Sequence, residues 1–136
     1  MKERLGELKH VGIAVEDLDE AKKVYCDVLG FDLEDEMEVP ERGLRIAFLS
    51  AGNTKIELLK GISPESTISK FVEKRGAGIH HLCFGVVDIK KTIEGLVAEG
   101  IEMIDRQPRR GAEGDMVAFL HPGSTMKVLI ELVEER

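Results

Sequence analysis

Leu8-Lys9-His10-Val11-Gly12-Ile13-Ala14-Val15-Glu16-Asp17-Leu18 returns 71 residues later as Ile79-His80-His81-Leu82-Cys83-Phe84-Gly85-Val86-Val87-Asp88-Ile89. Ala47-Phe48-Leu49 recurs as Ala118-Phe119-Leu120 at the same offset, and Gly52 and Thr54 match Gly123 and Thr125. A three-residue insertion then carries Ile56-Glu57-Leu58 onto Ile130-Glu131-Leu132, at an offset of 74. Chance supplies one such match; a set in order along the chain marks a duplicated unit.

Each copy reads as a strand, a helix and three more strands. Residues 8–15 alternate, with Val11, Ile13 and Val15 on one face. Asp17 is placed to cap a helix through Leu18, Ala21, Val24, Tyr25 and Val28, which Gly30 would stop. Strands are expected at 31–38, 44–50 and 54–60. The second copy predicts a strand at 79–86, a cap at Asp88, a helix through Ile93, Leu96 and Val97 ended by Gly100, and strands near 101–106, 115–120 and 127–133. Between the copies, Ser63-Pro64-Glu65 opens a short amphipathic segment, with proline in the first helical turn and Ile68, Phe71 and Val72 on one side. The expected organisation is one domain over residues 1–136: a module at about 8–60, a connector at 61–78 and a module at about 79–133. Neither copy has core enough to be comfortable alone, so two packed sheets around a shared cleft are expected.

Bulk properties narrow the function. Apolar residues make up 43% and charged residues 33% of the 136, a globular balance. The formal net charge of −7 argues against nucleic acid as a partner, because duplex binding rests on a basic footprint. No run approaches the ~18 apolar residues of a membrane span, and no apolar leader follows Met1-Lys2-Glu3-Arg4, so a cytoplasmic protein without membrane partners is expected. Cys26 and Cys83 sit in apolar patterns without a C-x-x-C motif and read as small buried hydrophobes.

Four polar residues resist that reading. Alternation sets His10 on the face of Gly12 and Ala14, opposite the apolar set, and His81 on the face of Cys83 and Gly85. In both copies small side chains follow the histidine at i+2 and i+4, which leaves space beside an imidazole. One histidine in a strand is usually structural; two at equivalent repeat positions point to a site. His80 competes with His81, but alternation aims it at the opposite face, unless a bulge reverses the choice. Glu57 and Glu131 stand in the apolar runs Ile56-Glu57-Leu58-Leu59 and Leu129-Ile130-Glu131-Leu132-Val133. Such a carboxylate is either on a wet face, paired, or bound to a cation. Two imidazoles and two carboxylates suit a divalent ion with an open position. With no thiolate, cobalt, nickel, manganese, iron or zinc is expected rather than a soft metal.

The chain from Leu8 to Val133 resembles the vicinal oxygen chelate (glyoxalase/bleomycin resistance) superfamily, and within it the methylmalonyl-CoA epimerases. The resemblance lies in Lys9-His10-Val11-Gly12-Ile13-Ala14-Val15, Gly52-Asn53-Thr54-Lys55-Ile56-Glu57-Leu58-Leu59 and Glu65-Ser66-Thr67-Ile68-Ser69-Lys70-Phe71. It continues in Gly78-Ile79-His80-His81-Leu82, Phe119-Leu120-His121-Pro122 and Val128-Leu129-Ile130-Glu131-Leu132. It implies an α+β fold of two tandem βαβββ modules forming a cupped mixed sheet around a metal, in a homodimer, with His10, Glu57, His81 and Glu131 as ligands. Some family members carry Gln at the position of Glu57. Ser124-Thr125-Met126-Lys127 departs from the small residues and glycine expected there, and the Arg109–Gly114 loop is unusually charged.

The implied activity is interconversion of (R)- and (S)-methylmalonyl-CoA by proton transfer at the α-carbon through a metal-stabilised enolate. Glu131 matches the family's catalytic-site glutamate, and Glu57 is the second acid/base by pseudo-symmetry. Glu41, in the Pro40-Glu41-Arg42-Gly43 turn, is weaker. Lys70, Lys74, Arg75, Arg109 and Arg110 are available for the phosphates of an acyl-CoA substrate, and His121 reads first as a turn residue. Lactoylglutathione lyase, with the same ligand types, is the alternative enzyme. A non-catalytic small-molecule binding module of the same fold is the alternative from another class.

Overall fold

The computed structural model describes residues 5–135. They divide into two compact units, residues 10–80 and residues 5–9 with 81–135. The connector thus belongs with the first copy, and the first strand, β1 (Leu8–Ala14), passes from one unit into the other. Among the described residues no helix is long and apolar enough to cross a membrane.

In the unit of residues 10–80, β1 is followed by α1 (Leu18–Lys22), β2 (Asp32–Val39), β3 (Leu44–Ser50), β4 (Lys55–Gly61) and α2 (Thr67–Arg75). The strands lie in the order β2-β3-β4-β1, with β1 parallel to β4 and the other pairs antiparallel. Asp17 caps α1 as the sequence predicts, its carboxylate accepting from the Glu20 amide at 3.0 Å. Val15, Leu18, Ala47, Leu49 and Leu58 form the core, with Ile13, Tyr25 and Phe31 packed against it. The same strands therefore bury one face against the helix and turn Gly12 and Glu57 to the other.

One expectation fails here. After Lys22 the helix continues as a π-helical turn, Lys23–Val28. The extra residue per turn advances the register, so Tyr25 and Cys26 pack inward. Val24 and Val28, expected on the buried stripe, lie 45% and 76% exposed. The connector helix also starts later than expected, at Thr67. Ser66, not Ser63, caps α2, accepting from the Ser69 amide at 3.0 Å, which leaves Pro64 outside the helix.

In the other unit, β5 (Gly78–Val86), α3 (Ile89–Ala98), β6 (Arg109–Arg110), β7 (Met116–Phe119) and β8 (Ile130–Glu134) follow in turn. The order is β5-β8-β7-β6, with β5 parallel to β8. Asp88 caps α3 through the Lys91 amide at 3.1 Å, and Ile89, Ile93, Ala118, Leu120 and Leu132 form a core equivalent to the first. Ahead of β1, the Gly6 amide donates to Gly85 O at 2.7 Å and the Gly85 amide to Glu7 O at 2.9 Å.

The strand expected near 101–106 is replaced by a loop with a single bridge, Met103 to Leu120. Asp105 explains the loss: its Oδ2 accepts from the Phe119 amide at 2.8 Å, taking the place of a strand carbonyl. The last strand begins at Ile130, not 127. The three-residue insertion is absorbed just before it, where Met126 and Lys127 adopt φ of 57° and 71°. The turn closes through the Lys127 amide on Pro122 O at 2.8 Å and Thr125 Oγ1 on Val128 O at 2.6 Å.

Two outcomes follow for stability. Left-handed backbone costs a side-chain-bearing residue about 1–2 kcal/mol, and glycine's added chain entropy takes back part of that. Met126→Gly is therefore expected to raise unfolding free energy by about 0.5–1 kcal/mol in denaturant titrations. Glu36 accepts from Lys22 Nζ and Arg45 Nε, both at 2.6 Å, and these two cations, Lys22 foremost, hold its carboxyl below the usual range. A lowered folded-state value stabilises above the unfolded pKa and fades as pH falls through the folded one. Glu36→Gln should lower unfolding free energy at pH 7 by about 1 kcal/mol, with the difference closing as pH drops below about 4.

Candidate metal centre

Each unit builds one imidazole–carboxylate pair, buried at Glu57, His81 and Glu131 and half-buried at His10. In residues 10–80, His10 Nδ1 on β1 lies 3.1 Å from Glu57 Oε2 on β4. In the other unit, His81 Nε2 on β5 lies 3.1 Å from Glu131 Oε1 on β8. Both glutamates are 8% exposed.

The repeat reappears in the strand register. Glu57 stands beside Gly12 on one side and Phe48 on the other; Glu131 stands beside Cys83 and Phe119. A parallel pair sets register partners on the same face, so the histidine two residues before Gly12 or Cys83 reaches the glutamate diagonally. Where the first copy has Gly12 beside Glu57, the second has the larger Cys83 beside Glu131. The space expected at Gly85 is also taken. A Cβ there would come within 2.8 Å of Lys9 Cε, and that lysine's ammonium meets Glu135 at 2.7 Å.

Each pair has the spacing that two ligands of one divalent ion adopt. Ligand atoms about 2.1 Å from one ion and at right angles stand roughly 3 Å apart, the spacing of both pairs. In the absence of an ion the same spacing serves a hydrogen bond from imidazole N–H to carboxylate. Buried N/O side-chain atoms among the described residues all have partners, so the pairs are stable as polar units.

The remaining candidates fall as follows. His80 turns away from His81, its ring edge-on to Phe71 at 4.9 Å, so no bulge reverses the register. His121 is exposed and its Nδ1 accepts from the Gly123 amide at 2.9 Å, a turn residue as expected. Glu41 sits exposed in the turn Pro40–Arg42. Arg109 is engaged by Asp105 at 3.2 Å and lies over the Phe119 ring, and Arg110 donates to Gly114 O. Sequence reading passed over Phe119, which stands edge-on to His81 at 5.6 Å. Its equivalence to Phe48 was the available signal.

Residues 9–119 match the glyoxalase/bleomycin resistance protein/dioxygenase superfamily. The chain belongs to this superfamily. Among its members, the mitochondrial methylmalonyl-CoA epimerase of Dictyostelium discoideum is 41% identical over 132 residues, covering 96% of this chain and 80% of that protein. The crystal structure of methylmalonyl-CoA epimerase from Mycobacterium tuberculosis is 36% identical with a TM-score of 0.92, covering 100% of this chain and 92% of that one. A variant of the Streptomyces coelicolor methylmalonyl-CoA epimerase in complex with 2-nitronate-propionyl-CoA is 32% identical with a TM-score of 0.89, covering 97% and 96%. The fold is thus shared across 92% and 96% of the two solved enzymes.

A buried polar pair retained for function usually costs stability that an apolar pair would return. The double variant His81→Met/Glu131→Leu should raise unfolding free energy by about 1 kcal/mol in chelator, read from the denaturant midpoint.

Proposed function

We propose that the chain is an isomerase, a metal-dependent epimerase that interconverts (R)- and (S)-methylmalonyl-CoA. The observation that carries this reading is the twice-built histidine–glutamate pair in a chain 41% identical to an epimerase of that substrate. In this reading His10, Glu57, His81 and Glu131 together hold one divalent ion, cobalt foremost. The ion, when bound, supplies a Lewis acid that draws charge from the thioester and carboxylate oxygens of the substrate.

The chain's own residues do the proton chemistry. Epimerisation removes the proton from the carbon between thioester and carboxylate and returns it on the other side, so two acid/base groups must face opposite sides. Glu131 is assigned to one side and Glu57 to the other. Each keeps one oxygen toward its histidine, which orients the carboxylate, and uses the second for the proton. Glu41 is the exposed alternative to Glu57. For the acyl-CoA phosphates, Lys70, Lys74 and Arg75 on α2 remain the assigned cations; Arg109 and Arg110 already serve protein partners. A homodimer is also proposed, supported by the exposed apolar side chains of Val24, Val28 and Leu29.

The test is incorporation of solvent deuterium at the α-carbon of methylmalonyl-CoA, with and without cobalt. The expected result is cobalt-dependent exchange, with His81→Ala abolishing cobalt binding and His80→Ala largely sparing it. Glu57→Gln and Glu41→Gln, assayed on each epimer separately, identify the second base by which one loses exchange from a single face. Turnover of the methylglyoxal–glutathione hemithioacetal without epimerisation would instead make the chain a lactoylglutathione lyase.

A further inference from the structure

We propose that Asp105 and Arg109 are positioning residues for His81, acting through the ring of Phe119. The proposal rests on His81 and Glu131 being ion ligands, as read above. Asp105 uses both oxygens on one neighbour's surroundings. Its Oδ2 accepts from the Phe119 amide at 2.8 Å, and its Oδ1 accepts from Arg109 Nε at 3.2 Å. The guanidinium so held stands 5.7 Å from the centroid of the Phe119 ring, within cation–π range. The other side of the contact is His81, edge-on at 5.6 Å and 79°. One carboxylate therefore fixes the backbone of Phe119 directly and its ring through Arg109.

The first copy shows why the second needs this clamp. There Phe48 is 2% exposed and β2 pairs along β3, with Asp35 opposite Phe48. Burial and a full strand hold that ring. In the second copy the equivalent pairing is cut to the two residues of β6 against Val117 and Met116, so it stops short of Phe119; that ring is only partly buried, with Asp105 in the loop ahead of β6 and Arg109 at its start. A phenyl ring without its cap gains rotational freedom, and the imidazole that leans on its edge gains the same. Loss of that orientation degrades the 3.1 Å alignment of His81 with Glu131. The hydrogen bonds, ion pair and ring contact of Asp105 and Arg109 run to each other and to Phe119, so their effect passes through Phe119.

The experiment uses the full chain with Arg109→Ala, Asp105→Ala and the double variant, in two measurements. In metal-free protein with labelled histidine and phenylalanine, contacts between the His81 and Phe119 rings are followed by nuclear Overhauser effects. Cobalt alone is then titrated and its visible absorption recorded. Arg109 is substantially exposed, so its removal should leave the thermal midpoint within about 3 °C. The expected result is weakened ring contacts and about a 10-fold loss of cobalt affinity in Arg109→Ala. The double variant should show no more than the larger single effect, since both residues act on one ring. Unchanged ring contacts with unchanged cobalt affinity overturn the proposal, as does full additivity. A wild-type chain that takes up no cobalt removes the ion reading instead, and the ring contacts in metal-free protein then decide the positioning role alone.

Discussion

Two carboxylates are buried inside apolar strand runs, and the rest of the structure is arranged so that this is tolerable. Left without partners, a buried carboxylate costs several kcal/mol and would take up a proton. Glu57 and Glu131 each receive an imidazole from the neighbouring parallel strand. That requires β1 beside β4 and β5 beside β8, in a register that aligns Gly12 with Glu57 and Cys83 with Glu131. It also requires the opposite face of each sheet to carry the apolar load, which Leu58 and Leu132 do as fully buried residues packed beneath a helix. The polar pair and the core are thus two faces of the same strands.

The two copies have diverged around this constant. The residue beside the glutamate is glycine in one and cysteine in the other. The second strand of the module runs the length of β3 in the first copy and is cut to Arg109 and Arg110 behind the Asp105 loop in the second. The insertion before the last strand is folded into a left-handed turn at Met126 and Lys127. For a substrate with unlike ends, a thioester to a long nucleotide on one side and a small carboxylate on the other, two unlike half-sites are more useful than two identical ones. Proton transfer to either face needs only the carboxylates to correspond.

Much of this was legible in the sequence because duplication supplies an internal comparison. The offsets of 71 and 74 selected His81 over His80 and paired Glu57 with Glu131, and the register reproduces both equivalences. Caps at Asp17 and Asp88 were legible because short carboxylates satisfy helix-end amides locally. What escaped depends on contacts far along the chain or on backbone shape. The π-helical turn leaves no mark in composition, so Val24 and Val28 read as buried. The Asp105 loop follows from a bond to an amide 14 residues on, which periodicity cannot register. Met126 and Lys127 take a conformation that glycine would normally signal.

The most direct measurement is the number of divalent ions bound per chain, by equilibrium dialysis with cobalt and metal analysis of the protein fraction. A site assembled from both half-sites takes one ion per chain and loses it on substitution of either His10 or His81. Two ions per chain, each lost with its own histidine alone, or no ion at all, would contradict it.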